Sequence, residues 1–236
     1  MHKNMNKNLW VRLLLSAVAM LLVAAACGNS EGQGACDQGE CIAAADGTVL
    51  RIKSYGGSGT AVLLAHDLDG SQGEWAEFAE TLSSRGYTVM TFDFRGHGKS
   101  PGQRDAALAE SDLASALVHM REQLRAPKVL LVGAGMGGIA ALRVSARESV
   151  SAVATVSAPA TLRGLSAADA VPLITAPKLF LAGEGAAADA GAARNLSSLA
   201  KDPKDLLLVP GNAHGTSLLN NTQARDRLLQ FLDKYK

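Results

Sequence analysis

Val129-Leu-Leu-Val-Gly133-Ala-Gly135-Met136-Gly137-Gly138 is the stretch on which the fold turns. Its uncharged, β-branched and leucine-rich start reads as a strand buried on both faces. The glycine cluster forces a tight turn into a helix that begins near Ile139. Two chemistries use such a turn. In a nucleophile elbow, small residues flank a side chain lifted above the sheet on a strained strand-to-helix turn. In a dinucleotide fingerprint, three glycines bring backbone N–H groups to a pyrophosphate, and Gly133, Gly135 and Gly138 match that spacing.

The fingerprint reading fails on context. It wants to follow the first strand of the fold and to be answered about twenty residues later by a carboxylate at the end of the next strand. Here at least two strand signals come first, Thr60–Ala65 and Tyr87–Phe92, and the next strand ends Val156-Ser157-Ala158-Pro159 with no acid. No dinucleotide or other cofactor is expected, and no metal, since the two thiols at Cys36 and Cys41 fall short of a soft ligand set.

From residue 46 the chain alternates strand and helix signals. Thr48–Lys53 reads as an edge strand; Pro177–Ala182 and Lys204–Val209 follow the pivot and the strand Ala152–Val156. Helical spacing links Trp75, Phe78, Ala79 and Leu82, then Leu108 to Leu124, then Leu228 to Tyr235, while the alanine- and glycine-rich Gly183–Ala193 reads as a loose loop. Parallel strands covered on both faces by helices predict an α/β three-layer sandwich around a mostly parallel, doubly wound sheet. Only Ser157–Ala176 is long enough for an insertion, so a cap is minimal or absent.

Four segments resemble the α/β-hydrolase fold family, of the small serine-aminopeptidase or monoglyceride-lipase-like kind. Asp93-Phe-Arg95-Gly-His97-Gly-Lys-Ser100 is similar to its D-x-R-G-H-G-x-S turn, and His66-Asp67-Leu68-Asp-Gly70-Ser71 to its H-G loop. Pro177–Gly183 is similar to the strand that delivers its acid, and Gly211-Asn-Ala-His214-Gly215 to its catalytic-histidine loop. The resemblance implies a serine at the third elbow position, where this chain has Gly135, and an acid at position 186, where it has Ala186. Asp189, three residues on, and Glu184, two before, are the substitutes within reach. A third departure is Asp67, which stands where the family has a glycine that lets backbone approach a substrate oxyanion.

Glycine has no side chain with which to attack a carbonyl, so serine-type acyl transfer is closed at Gly135. His214 is left as a triad remnant. It serves either as a hydrogen-bonded loop residue or as the base of a weak esterase or peptidase that uses water as its nucleophile. Arg95, His97 and His66 read as turn structure, and Ser71, Ser100, Ser157 and Ser217 lack an elbow around them. The resemblance still implies an oxyanion-type pair of backbone N–H groups at Leu68 and Met136, suited to a small acyl or carboxylate ligand. Loss of hydrolysis with retained binding or scaffolding is thus the leading expectation; weak hydrolysis and a purely structural envelope lipoprotein are the alternatives.

The first 26 residues stand apart. Lys3, Lys7 and Arg12 precede Leu13–Ala26, which is apolar apart from Ser16 and too short to span a bilayer comfortably, the build of a signal peptide. Val23-Ala-Ala-Ala-Cys27 resembles a bacterial lipobox, with Ala24 where leucine is usual, and implies export, lipidation of Cys27 and a membrane anchor; a plain secretory cleavage would instead leave a soluble periplasmic or secreted protein. Residues 27–45 are expected to form a tether with a small Cys36–Cys41 disulfide loop, and 46–236 the folded domain. Removal of the leader takes the formal net charge from +1 to about −2, which speaks against a nucleic-acid partner.

Overall fold

A computed structural model of the chain describes residues 40–126 and 128–236. The expectations for the leader, for Cys27 and for Cys36 lie outside these residues. Eight strands form one sheet: β1 (Cys41–Ala43), β2 (Val49–Tyr55), β3 (Ala61–Ala65), β4 (Thr88–Phe92), β5 (Val129–Ala134), β6 (Ala152–Val156), β9 (Lys178–Gly183) and β10 (Lys204–Val209). A two-stranded hairpin, β7 (Thr161–Leu162) with β8 (Leu165–Ser166), occupies the insertion segment. The sheet order is β1-β2-β4-β3-β5-β6-β9-β10. The strands from β4 to β10 run parallel, and β1 and β2 are antiparallel additions at one edge.

Alternate residues of the parallel strands feed two apolar layers, as the pleat requires. Leu63, Leu131, Val153 and Phe180 pack toward helices α2 (Ala109–Glu122), α3 (Gly135–Ser145) and α4 (Ala187–Leu199). Val62, Leu64, Leu130 and Val132 pack toward α1 (Ala76–Ser84) and α5 (Thr222–Tyr235), through Phe78, Leu82, Leu228 and Leu232. This is the three-layer sandwich the sequence predicts, with an insertion too small to count as a cap.

Three details differ from the sequence reading. The sheet begins at Cys41, inside the stretch read as tether, because Ile42 and Ala44 are buried in the core. As a result β2 is not an edge strand. The segment read as a loose loop is helix α4 from Ala187 onward. Its alanines are strong helix formers, and Ala190, Ala193 and Leu196 supply a buried stripe at helical spacing.

In an open parallel sheet, functional loops gather beyond the carboxyl ends of the strands, at the point where strand order reverses. Here β3 lies between β4 and β5, so the loops after those three strands converge with the turns after β9 and β10.

Candidate functional site

The elbow has the backbone of a nucleophile turn. Ala134 is extended, and Gly135 then sits at φ +47, a left-handed conformation that L side chains rarely adopt. A Cβ built on Gly135 would overlap the Oδ1, Cγ and Oδ2 atoms of Asp67. The carboxylate of Asp67 therefore fills the seat that a side chain at position 135 would need.

Asp67 reaches that seat from the loop after β3, where neighbours fix its backbone on every side. Its N–H donates to Glu74 Oε1 at 3.0 Å, and its carbonyl accepts from His66 Nδ1 at 2.6 Å. His66 Nε2 accepts the N–H of Phe94 at 3.0 Å, so the ring is the neutral Nδ1–H tautomer; burial pushes this histidine down to about 4. His97 sets the next peptide, with Nε2 2.7 Å from the Leu68 carbonyl and Nδ1 2.8 Å from that of Arg95. Burial also holds the Glu74 carboxyl above its ordinary range, against the opposing pull of its bond from Asp67.

With its main chain fixed, the Asp67 side chain gathers the remaining polar groups. Oδ1 accepts the N–H of Leu68 at 2.7 Å and that of Met136 at 2.8 Å. Those are the two donors the sequence singles out as an oxyanion pair, and here the chain's own carboxylate occupies them. Oδ2 lies 2.8 Å from His214 Nε2, and His214 Nδ1 lies 2.6 Å from Asp189 Oδ2. The result is a row, Asp67–His214–Asp189, with side-chain exposures of 21%, 52% and 14%, so its middle member faces solvent. Burial opposes the charge on His214, but the two carboxylates outweigh it and raise the imidazole above its ordinary value.

Asp189 reaches His214 although Ala186 stands at the family's acid position. Ala186 caps α4, and Asp189 is three residues on in its first turn, so both lie on one side of that turn. Glu184 instead points to Arg194, 3.6 Å away. A histidine bridging two carboxylates has no free nitrogen with which to take a proton from water. Both ring nitrogens of His214 are thus engaged by carboxylates, Nδ1 by Asp189 and Nε2 by Asp67.

The Asp93–Ser100 turn braces this arrangement. Asp93 accepts from the N–H of Gln72 at 2.7 Å and of Lys99 at 2.9 Å. Arg95 spans the loop to buried Asp112 with bonds of 2.6 and 3.1 Å, and reaches Asp46 at 2.7 Å. Ser100 bonds the Asp93 carbonyl at 2.6 Å, and Ser217 bonds the His214 carbonyl at 2.6 Å. Neither serine is presented to a base. Ser157 is buried, with φ +53 and no hydrogen-bond partner for its hydroxyl.

Sequence reasoning brought Gly135, Met136, Leu68, His214 and Asp189 to one place but missed what Asp67 and Glu74 do. The signal was present as two departures from the resembled pattern, no side chain at 135 and a carboxylate at 67.

Comparisons with known proteins bear on the fold that carries this site. Residues 60–216 match the family model described as alpha/beta hydrolase fold. In sequence, the chain is 37% identical over 87 residues to the sn-1-specific diacylglycerol lipase ABHD11 of Danio rerio, covering 36% of this chain and 27% of that one. It is 25% identical over 199 residues to an uncharacterized protein of Mycobacterium tuberculosis, covering 75% and 71%. The chain spans 26% to 34% of the length of the named enzymes it matches in sequence. Among solved structures it superposes on a carboxylesterase of Nitrososphaera gargenis with a TM-score of 0.70 at 13% identity, covering 83% of this chain and 98% of that one. A monoacylglycerol lipase of Paleococcus ferrophilus gives 0.69 at 19% identity, covering 79% and 99%. At such identities the superpositions speak for the fold alone. With two thirds of its length matched by the family model, the chain belongs to the α/β-hydrolase fold family.

Proposed function

We propose that this protein performs no serine-type acyl transfer, and that its cleft is left with a binding role in an exported lipoprotein anchored through Cys27. One observation carries the first part: the carboxylate of Asp67 occupies both the seat of the missing nucleophile and the two N–H groups that would receive a substrate oxyanion. Acyl transfer loses its attacking atom at Gly135 and its charge-stabilising donors at Leu68 and Met136, the latter alone accounting for roughly 10² to 10³ in rate. A small acyl or carboxylate ligand binds at those donors only by displacing Asp67.

The test is a panel of short-chain p-nitrophenyl esters. Background rates are expected for the wild type, unchanged in His214→Ala; turnover that disappears in His214→Ala would overturn the reading. The anchor is tested separately by detergent-phase partitioning of the full chain expressed in a bacterium. Wild-type protein is expected in the detergent phase and Cys27→Ala in the aqueous phase, and equal partitioning of the two would refute the anchor.

A further inference from the structure

We propose that the cavity at the amino ends of β3, β4 and β5 binds a phosphate monoester, presented either by a small soluble molecule or by a lipid headgroup. It lies at the opposite end of the sheet from the row Asp67–His214–Asp189, and it stands whether or not Cys27 anchors the chain. Thr60, Thr88 and Lys128, at the entries to those three strands, line it together with the loop Gly57–Gly59 and the segment Leu124–Ala126. Its volume is about 440 Å³, inside the roughly 300 to 1,000 Å³ of small-molecule sites.

The wall of this cavity carries two cations and no carboxylate. Arg125 and Lys128 are exposed, and neither forms an ion pair or a side-chain hydrogen bond among the described residues. By contrast, Arg85, Arg121, Arg143 and Arg225 each meet a carboxylate. The hydroxyls of Ser58 and Thr60 are likewise without a partner among the described residues. One term opposes an anion. Helix α2 ends at Glu122, two residues before Leu124, and its dipole places about half a negative charge at that end. Two whole positive charges outweigh it.

The donor set selects a phosphate monoester over a simple carboxylate. Such a phosphate carries about two negative charges at neutral pH and three strong acceptor oxygens. An arginine fork, an ammonium and two hydroxyls match it in charge and in donors. A carboxylate offers one charge and two oxygens, and leaves part of the set unused. The loop that bears the hydroxyls is fixed against the entry to β4, because a Cβ on Gly57 would overlap the Tyr87 carbonyl and one on Gly59 that of Gly86. Backbone approach this close needs glycine, so Ser58 is tied down on both sides. A phosphate fills only part of the volume, and the remainder, bounded by apolar Leu124 and Ala126, takes the organic group that carries it.

The experiment titrates the full chain with inorganic phosphate and with glycerol 3-phosphate while the backbone amides are followed by NMR. Wild type is expected to show saturable shifts centred on Ser58, Gly59, Thr60 and Arg125. The double variant Arg125→Gln/Lys128→Gln is expected to bind more weakly by about tenfold or more. Arg163→Gln/Lys201→Gln removes the same charge from exposed positions outside the cavity and is expected to leave the midpoint unchanged. Flotation with phosphatidylcholine vesicles, with and without phosphatidic acid, separates the two sources. A gain with phosphatidic acid that Arg125→Gln/Lys128→Gln abolishes assigns a lipid headgroup; equal flotation of that variant and wild type assigns a soluble phosphate. Both proteins carry the same Cys27, so their difference reports the cavity and not an anchor. No saturable shift with either phosphate would overturn the proposal. So would the same midpoint in wild type and Arg125→Gln/Lys128→Gln, or an equal loss in both double variants.

Discussion

Asp67 Oδ1 stands where a Cβ on Gly135 would stand, so the two positions are mutually exclusive. Position 135, at the turn after β5, carries no side chain, and a carboxylate from the loop after β3 fills the space. The consequences reach His214, which bridges Asp67 and Asp189 instead of facing a serine.

The first prediction concerns that bridge. The two carboxylates raise His214 against the pull of burial. Asp67→Asn and Asp189→Asn are each expected to lower its titration midpoint, measured by NMR of the ring protons. Because the folded value lies above the unfolded one, the stability this histidine adds is fully present below about pH 6.5. It is lost as pH rises through the higher folded value. His214→Gln should flatten that part of the stability profile. A midpoint unchanged in both aspartate variants would show that the row does not form in solution.

A second prediction follows from the occupied donors. Asp67→Gly frees the N–H groups of Leu68 and Met136 and leaves His214 without its second carboxylate partner. Small carboxylates such as butyrate should then bind where the wild type rejects them, read as shifts of the Leu68 and Met136 amides. Equal binding by wild type and variant would mean that Asp67 does not guard the site.

The third concerns support. Asp112 is fully buried and takes four bonds from Arg95, including one from its backbone N–H at 3.1 Å. Removing one partner strands a buried charge, so Asp112→Ala should cost about 3 to 5 kcal/mol in denaturant unfolding. A loss under about 1 kcal/mol would show that the turn does not depend on this pair.

Much of this was legible in the sequence because it is written in local patterns. Val129–Gly138 announces a strand, a glycine turn and a helix, and the loops bearing His66, Arg95 and His214 follow in the order the fold requires. What escaped is set by three-dimensional approach. Ala186 looked like a lost acid because the count ran along a presumed loop, and Asp189 reaches His214 only because Ala187–Leu199 is a helix. The role of Asp67 depends on positions 67 and 135 coming together across two adjacent strands, β3 and β5. No spacing along the chain states that.

The structure also changes what Gly135→Ser alone can do. A side chain at φ +47 costs about 1 to 3 kcal/mol, and here it must also displace Asp67. For a chain of this size that is a melting temperature lower by about 2 to 4 °C per kcal/mol.

The most direct measurement is ester turnover in Gly135→Ser, Asp67→Gly and the double variant, each compared with wild type. Clearing Asp67 while adding the hydroxyl places a serine beside His214 and Asp189 with both N–H donors free. The double variant is therefore expected to exceed either single change by about 100-fold or more, with the singles at background. Gly135→Ser matching the double variant would contradict the account, for it would mean that Asp67 never held the seat.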